Sequence, residues 1–126
     1  MTEKINKKIL FVEDDEDFLF ILKTKFTNEG FAVFTAENGE AALEVVEKEK
    51  PDMVVTDVLM PKMNGIDMAK KIRETDKDVP VLFLTNLKDT EYTDDIKKID
   101  KAEILIKSET RIDDIVEKVK TKLGIK

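Results

Sequence analysis

The chain has 126 residues, the size of one ordinary domain, and contains no cysteine and no histidine. Disulfides, zinc–thiolate sites, histidine metal clusters and Ser-His or Cys-His nucleophile pairs are therefore excluded, leaving any chemistry to carboxylates, lysines, hydroxyls and a hard cation. The 22 Lys+Arg against 28 Asp+Glu give a net charge of −6, which argues against a nucleic-acid partner held by phosphate contacts.

The opening stretch, MTEKINKKILFVEDD, places basic residues before an apolar run, but that run covers only Ile9 to Val12 and meets three acids instead of a small-residue cleavage site. It predicts a first strand, KILFV (8–12), and no signal peptide; no transmembrane span follows. A charged fraction of 40% reads as solvated helix faces and predicts a soluble, cytoplasmic protein. Phe18, Leu19, Leu22 and Phe26 share one face of a first helix, with Gly30 as its C-cap. FAVFTA (31–36) is the second strand, and Ala42, Leu43 and Val46 mark a second helix that Pro51 stops. DMVVTD (52–57) is the third strand, followed by a helix carrying Ile66, Ala69 and Ile72. VPVLFLT (79–85) is the fourth.

KDTEYTDDIKKI (88–99) is the weakest segment: threonines and aspartates are poor helix formers, and only Tyr92, Ile96 and Ile99 supply a narrow stripe. A mobile fourth helix is expected there. AEILIK (102–107) is the fifth strand, and Thr110 with Asp113 makes a capping-box-like start for a last helix on Ile112, Ile115, Val116, Val119 and Leu123. The strand runs are mostly continuous and not alternating, as in strands covered on both faces. Repeated βα units give an α/β, doubly wound parallel sheet whose chemistry sits at the carboxyl ends of its strands.

Those ends carry Glu13, Asp14 and Asp15 on the first strand, Asp57 on the third, Thr85 and Asn86 on the fourth, and Lys107 on the fifth. Singly, each has an ordinary use: EDD caps a helix, an isolated strand-end aspartate starts a turn, and a lysine is solvated surface. Together they suit phosphoryl transfer to a carboxylate. Clustered acids need a cation, and an all-oxygen donor set favours Mg²⁺. An aspartate can then attack phosphorus, with a lysine and a hydroxyl as donors to the new oxygens.

ILFVEDD, VVTDVLMPKMNG, FLTN and ILIKS, in this order and spacing, resemble the acidic, phosphorylation-site, switch-threonine and lysine motifs of receiver domains of two-component response regulators. The resemblance covers essentially the whole chain, read as a single receiver domain over 1–126 with its last helix ending near 123. It implies a flavodoxin-like three-layer (βα)5 sandwich with strand order 2-1-3-4-5. It further implies that Asp57 is the phosphoacceptor, that Lys107 contacts the phosphoryl group, and that Thr85 is the switch. Mg²⁺ would be held by Asp14, the Asp57 carboxylate and the Leu59 backbone carbonyl, with Glu13 acting through water. The expected partners are a sensor histidine kinase or phosphotransfer protein and a downstream protein on the helix-four to helix-five face, with no direct nucleic acid or membrane contact. The expected product is a stand-alone signalling phosphoacceptor, not an enzyme acting on a separate substrate, either monomeric or forming a phosphorylation-dependent dimer.

Three positions depart from the family pattern. Ile104 stands where an aromatic partner of the switch threonine is usual, Asn86 where a small residue is, and Ser108 where a proline is. Switching is therefore expected to rely less on a buried ring. Leu59 offers no side-chain group to orient water, so a long-lived acyl phosphate is expected. Two other classes compete. A phosphohydrolase of haloacid-dehalogenase type needs an acid where Leu59 stands, and for a flavin-binding module EDDED would repel the phosphate. A purely protein-binding module on the same fold is the remaining alternative.

Overall fold

The computed structural model describes residues 4–86 and 91–125. The five apolar runs form β1 (Lys8–Val12), β2 (Ala32–Ala36), β3 (Met53–Asp57), β4 (Val81–Thr85) and β5 (Ala102–Ile106). Between and after them lie α1 (Glu16–Asn28), α2 (Gly39–Glu49), α3 (Gly65–Thr75), α4 (Thr93–Lys97) and α5 (Ile112–Lys122). Every ladder is parallel. The strand order is β2-β1-β3-β4-β5, the doubly wound, flavodoxin-like arrangement expected.

The continuous apolar runs have a simple cause, because successive strand residues point to opposite faces and both faces are roofed by helices. Leu10, Val12, Val54, Val81 and Phe83 meet Ala42, Ile66, Ala69, Ile72 and Ile96 of α2, α3 and α4 in one core layer. Ile9, Phe11, Met53, Val55, Leu82 and Leu84 meet Leu22 and Phe26 of α1 and Ile115 and Val119 of α5 in the other. Phe26 also stacks obliquely on Phe11, with ring centroids 4.7 Å apart. The central strands β3 and β4 are buried throughout, whereas β5, at one edge, is half-buried along its whole length.

Gly30 ends α1 as expected. It has φ +103°, its N–H donates to the Thr27 carbonyl, and the next N–H, of Phe31, reaches back to the Phe26 carbonyl, a Schellman pattern. Before Pro51 it is Lys50, at φ +49°, that takes the left-handed turn closing α2. Two expectations need correction. The fourth helix, expected over 88–99, is confined to Thr93–Lys97; residues 88–90 of that expectation lie outside the described residues. The start of α5 lies one residue later than Thr110–Asp113: the Arg111 N–H donates to Asp114, while the Thr110 hydroxyl donates to the Ile106 carbonyl at 2.7 Å. Among the described residues no helix is long and apolar enough to cross a membrane.

Candidate functional site

The alternation that builds the core also gathers the site. Ile9 and Phe11 on β1, Met53 and Val55 on β3, and Leu105 on β5 all face α1 and α5. Two residues further along each strand stand Glu13, Asp57 and Lys107, which therefore converge on that side of the sheet's carboxyl edge. Lys107 Nζ lies 2.5 Å from Glu13 Oε1 and 3.4 Å from Asp57 Oδ2. Carboxylate oxygens of Glu13, Asp14 and Asp57 all lie within 4.8 Å of one another, an arrangement that could hold a metal ion.

The EDD run divides its work. Glu13 is buried, its Oε2 accepting the Asp15 N–H at 3.2 Å while Oε1 faces Lys107. Asp14 stays exposed and completes the acidic cluster. Asp15 is the N-cap of α1, its Oδ1 accepting the N–H groups of Asp17 and Phe18 at 3.0 and 3.3 Å. The capping use open to this run in the sequence thus falls to Asp15, while Glu13 and Asp14 belong to the acidic cluster.

Asp57 is only 7% exposed and closes β3. Its Oδ1 accepts the Val58 N–H at 2.8 Å, which fixes the carboxylate plane, and its own carbonyl accepts the Thr56 hydroxyl at 2.8 Å. The loop that follows is held close: the Gly65 N–H donates to the Val58 carbonyl at 2.8 Å, and a Cβ at Gly65 would sit 2.1 Å from the Asp57 carbonyl oxygen. Glycine is required there because α3 begins against the backbone of β3 at Asp57. Lys62 bends the same loop at φ +68°.

Burial dominates the electrostatics. It pushes Glu13 up to about 7, against the pull of Lys107 and with the Asp57 charge adding to the rise. It raises Asp57 as well, against Lys107 and the Val58 N–H. Burial works against the Lys107 ammonium too, but there the two carboxylates outweigh it and hold the lysine above its ordinary value.

Thr85 ends β4 and is buried, but it follows Val81 and Phe83 on the opposite face, towards α3 and α4. Ile104 lies on that face as well, paired in register with Phe83. Among the described residues Thr85 makes no hydrogen bond to Asp57 or Lys107. Leu59 is 47% exposed on the β3–α3 loop. One neighbour of the site was not singled out by the sequence: the Phe18 ring, whose centroid lies 4.8 Å from Lys107 Nζ.

The family model for the response regulator receiver domain matches residues 9–120. The chain belongs to this family. It is 43% identical over 88 residues to the alkaline phosphatase synthesis transcriptional regulatory protein PhoP of Bacillus subtilis, covering 70% of this chain and 36% of that protein. Over 81 residues it is 38% identical to sporulation initiation phosphotransferase F of the same organism, covering 64% of this chain and 65% of the relative. The receiver thus spans about a third of the length of the PhoP regulator. Among solved structures it resembles response regulator TrrA of Thermotoga maritima in complex with Mg²⁺-BeF, with a TM-score of 0.80, 34% identity, and 92% of this chain and 98% of that one covered.

The receiver's acidic edge fits a hard dication. Three carboxylates share the space and one ammonium answers them. Every side-chain donor in the cluster is a carboxylate oxygen, the set that hard cations select.

Proposed function

We propose that Asp57 accepts a phosphoryl group from a phosphohistidine on a sensor kinase or phosphotransfer protein, and that the chain, as a single receiver domain in the cytoplasm, reports that state to a downstream protein. The carrying observation is the Lys107 ammonium held between Glu13 and Asp57 at a buried strand edge. Oδ1 of Asp57 is committed to the Val58 N–H, so Oδ2, facing Lys107, is the nucleophile. A P–O bond forms at Oδ2 as the donor's P–N bond breaks, and the electron pair of that bond stays on the imidazole. Lys107 then shifts its ion pairing from Glu13 towards the new phosphoryl oxygens, with Thr85 donating its hydroxyl from the neighbouring strand end.

Asp14, the Asp57 carboxylate and the Leu59 carbonyl are the residues to hold Mg²⁺, with Glu13 acting through water; when bound, the ion withdraws charge from the phosphoryl oxygens. The transition is carried by Thr85 and Ile104 to the surface from α4 to α5, where the partner docks. This is the role of a signalling phosphoacceptor, acting as a monomer or as a dimer formed on phosphorylation.

A melting experiment with Mg²⁺ and beryllofluoride, a mimic of the phosphoryl group, tests the site. The parent should gain several degrees over Mg²⁺ alone, and Asp57→Asn should gain nothing. An equal gain in both proteins would move the acceptor elsewhere.

A further inference from the structure

We infer that Phe18 is a positioning residue for Lys107: its ring keeps the ammonium at the acceptor while the lysine changes carboxylate partners. This rests on the assignment of Asp57 as acceptor. Lys107 opens a 3-10 turn after β5, is 21% exposed, and carries a flexible stem that solvent can draw away from the site. Two carboxylates hold it in the resting state, Glu13 closely at 2.5 Å and Asp57 loosely at 3.4 Å. To serve a phosphoryl group on Asp57, the ammonium must loosen from Glu13 without leaving the site.

The Phe18 ring, 4.8 Å from Nζ, is suited to that task. Its negative face attracts a cation weakly and without a fixed direction, so it penalises escape to solvent but not sliding from one carboxylate to the other. A further acid in its place would pin the lysine. The ring itself is anchored, because Phe18 lies in the first turn of α1, Asp15 caps its N–H, and it packs at the rim of the α1/α5 core. Apolar burial of the lysine stem alone would be served equally by leucine or methionine.

That difference supplies the test. Rates of labelling by acetyl phosphate with Mg²⁺ are compared for the parent, Phe18→Tyr, Phe18→Leu and Phe18→Met, with folding checked by circular dichroism. Tyrosine should stay within about twofold of the parent, while leucine and methionine should slow labelling about fivefold, the equivalent of about 1 kcal/mol. The Lys107 ε-protons should also be shifted upfield by the ring current in the parent and in Phe18→Tyr, and not in the aliphatic variants. Equal rates in a folded aliphatic variant, an equally slow tyrosine variant, or no upfield shift in the folded parent would each overturn the positioning role. A parent that takes no label at all would instead remove Asp57 as acceptor.

Discussion

At the residue scale the acidic cluster sets an unusual pH dependence. Glu13 rises from 4.5 to about 7 on folding, chiefly through burial, so its folded-state pKa lies above its unfolded one. The stability it contributes is complete below about pH 4.5 and is lost as pH climbs through about 7, by at most about 3 kcal/mol. Glu29, Glu103 and Asp113 are shifted the other way by lysine partners, and what they contribute is lost on acidification through their lowered values. In chelator the protein should therefore melt highest near pH 5 and lower at pH 7.5, and Glu13→Gln should flatten that fall. A parent melting point that climbs from pH 5 to 7.5 would contradict the burial of that charge.

Gly65 gives a second residue-scale prediction. A methyl group there would stand 2.1 Å from the Asp57 carbonyl, so Gly65→Ala should cost at least about 2 kcal/mol and slow labelling as β3 shifts. Urea unfolding measures the first effect and intact-mass time courses the second.

Elements differ in how openly the sequence declares them. Strands roofed on both faces carry continuous apolar runs, so β1, β3 and β4 were legible almost to the residue. The acids after β1 and at the end of β3 and the lysine after β5 were legible as a set and not singly, since each alone has an ordinary use as a cap, a turn residue or solvated surface. Phe18 was hidden because an apolar residue at helical spacing reads as core, and only the fold brings the loop after β5 beside α1. The start of α5 was misplaced because the Thr110 hydroxyl is taken by the Ile106 carbonyl and cannot cap. In α4, two aspartates and a threonine among five residues leave little intrinsic helicity, and Ile96 is the side chain it buries. A five-residue helix that buries a single side chain opens at low cost. On phosphorylation, hydrogen-exchange protection should change most across 88–99 and along β5. Changes confined to α1 and α2 would place the output face elsewhere.

Across the whole molecule, the fold concentrates charge conflict at one edge. Three carboxylates meet one ammonium there, a cost to the metal-free fold. Asp57→Asn should accordingly raise the melting temperature in chelator by a few degrees while shrinking the response to millimolar Mg²⁺. The parent should gain about 1.4 kcal/mol from Mg²⁺ at roughly tenfold excess over Kd. A variant that melts below the parent in chelator, or responds to Mg²⁺ as fully, would make these acids structural. The most direct measurement is the intact mass of the parent and of Asp57→Asn after incubation with acetyl phosphate and Mg²⁺. One added phosphoryl group on the parent and none on the variant is the predicted result; undiminished labelling of Asp57→Asn, or none on the parent, would contradict it.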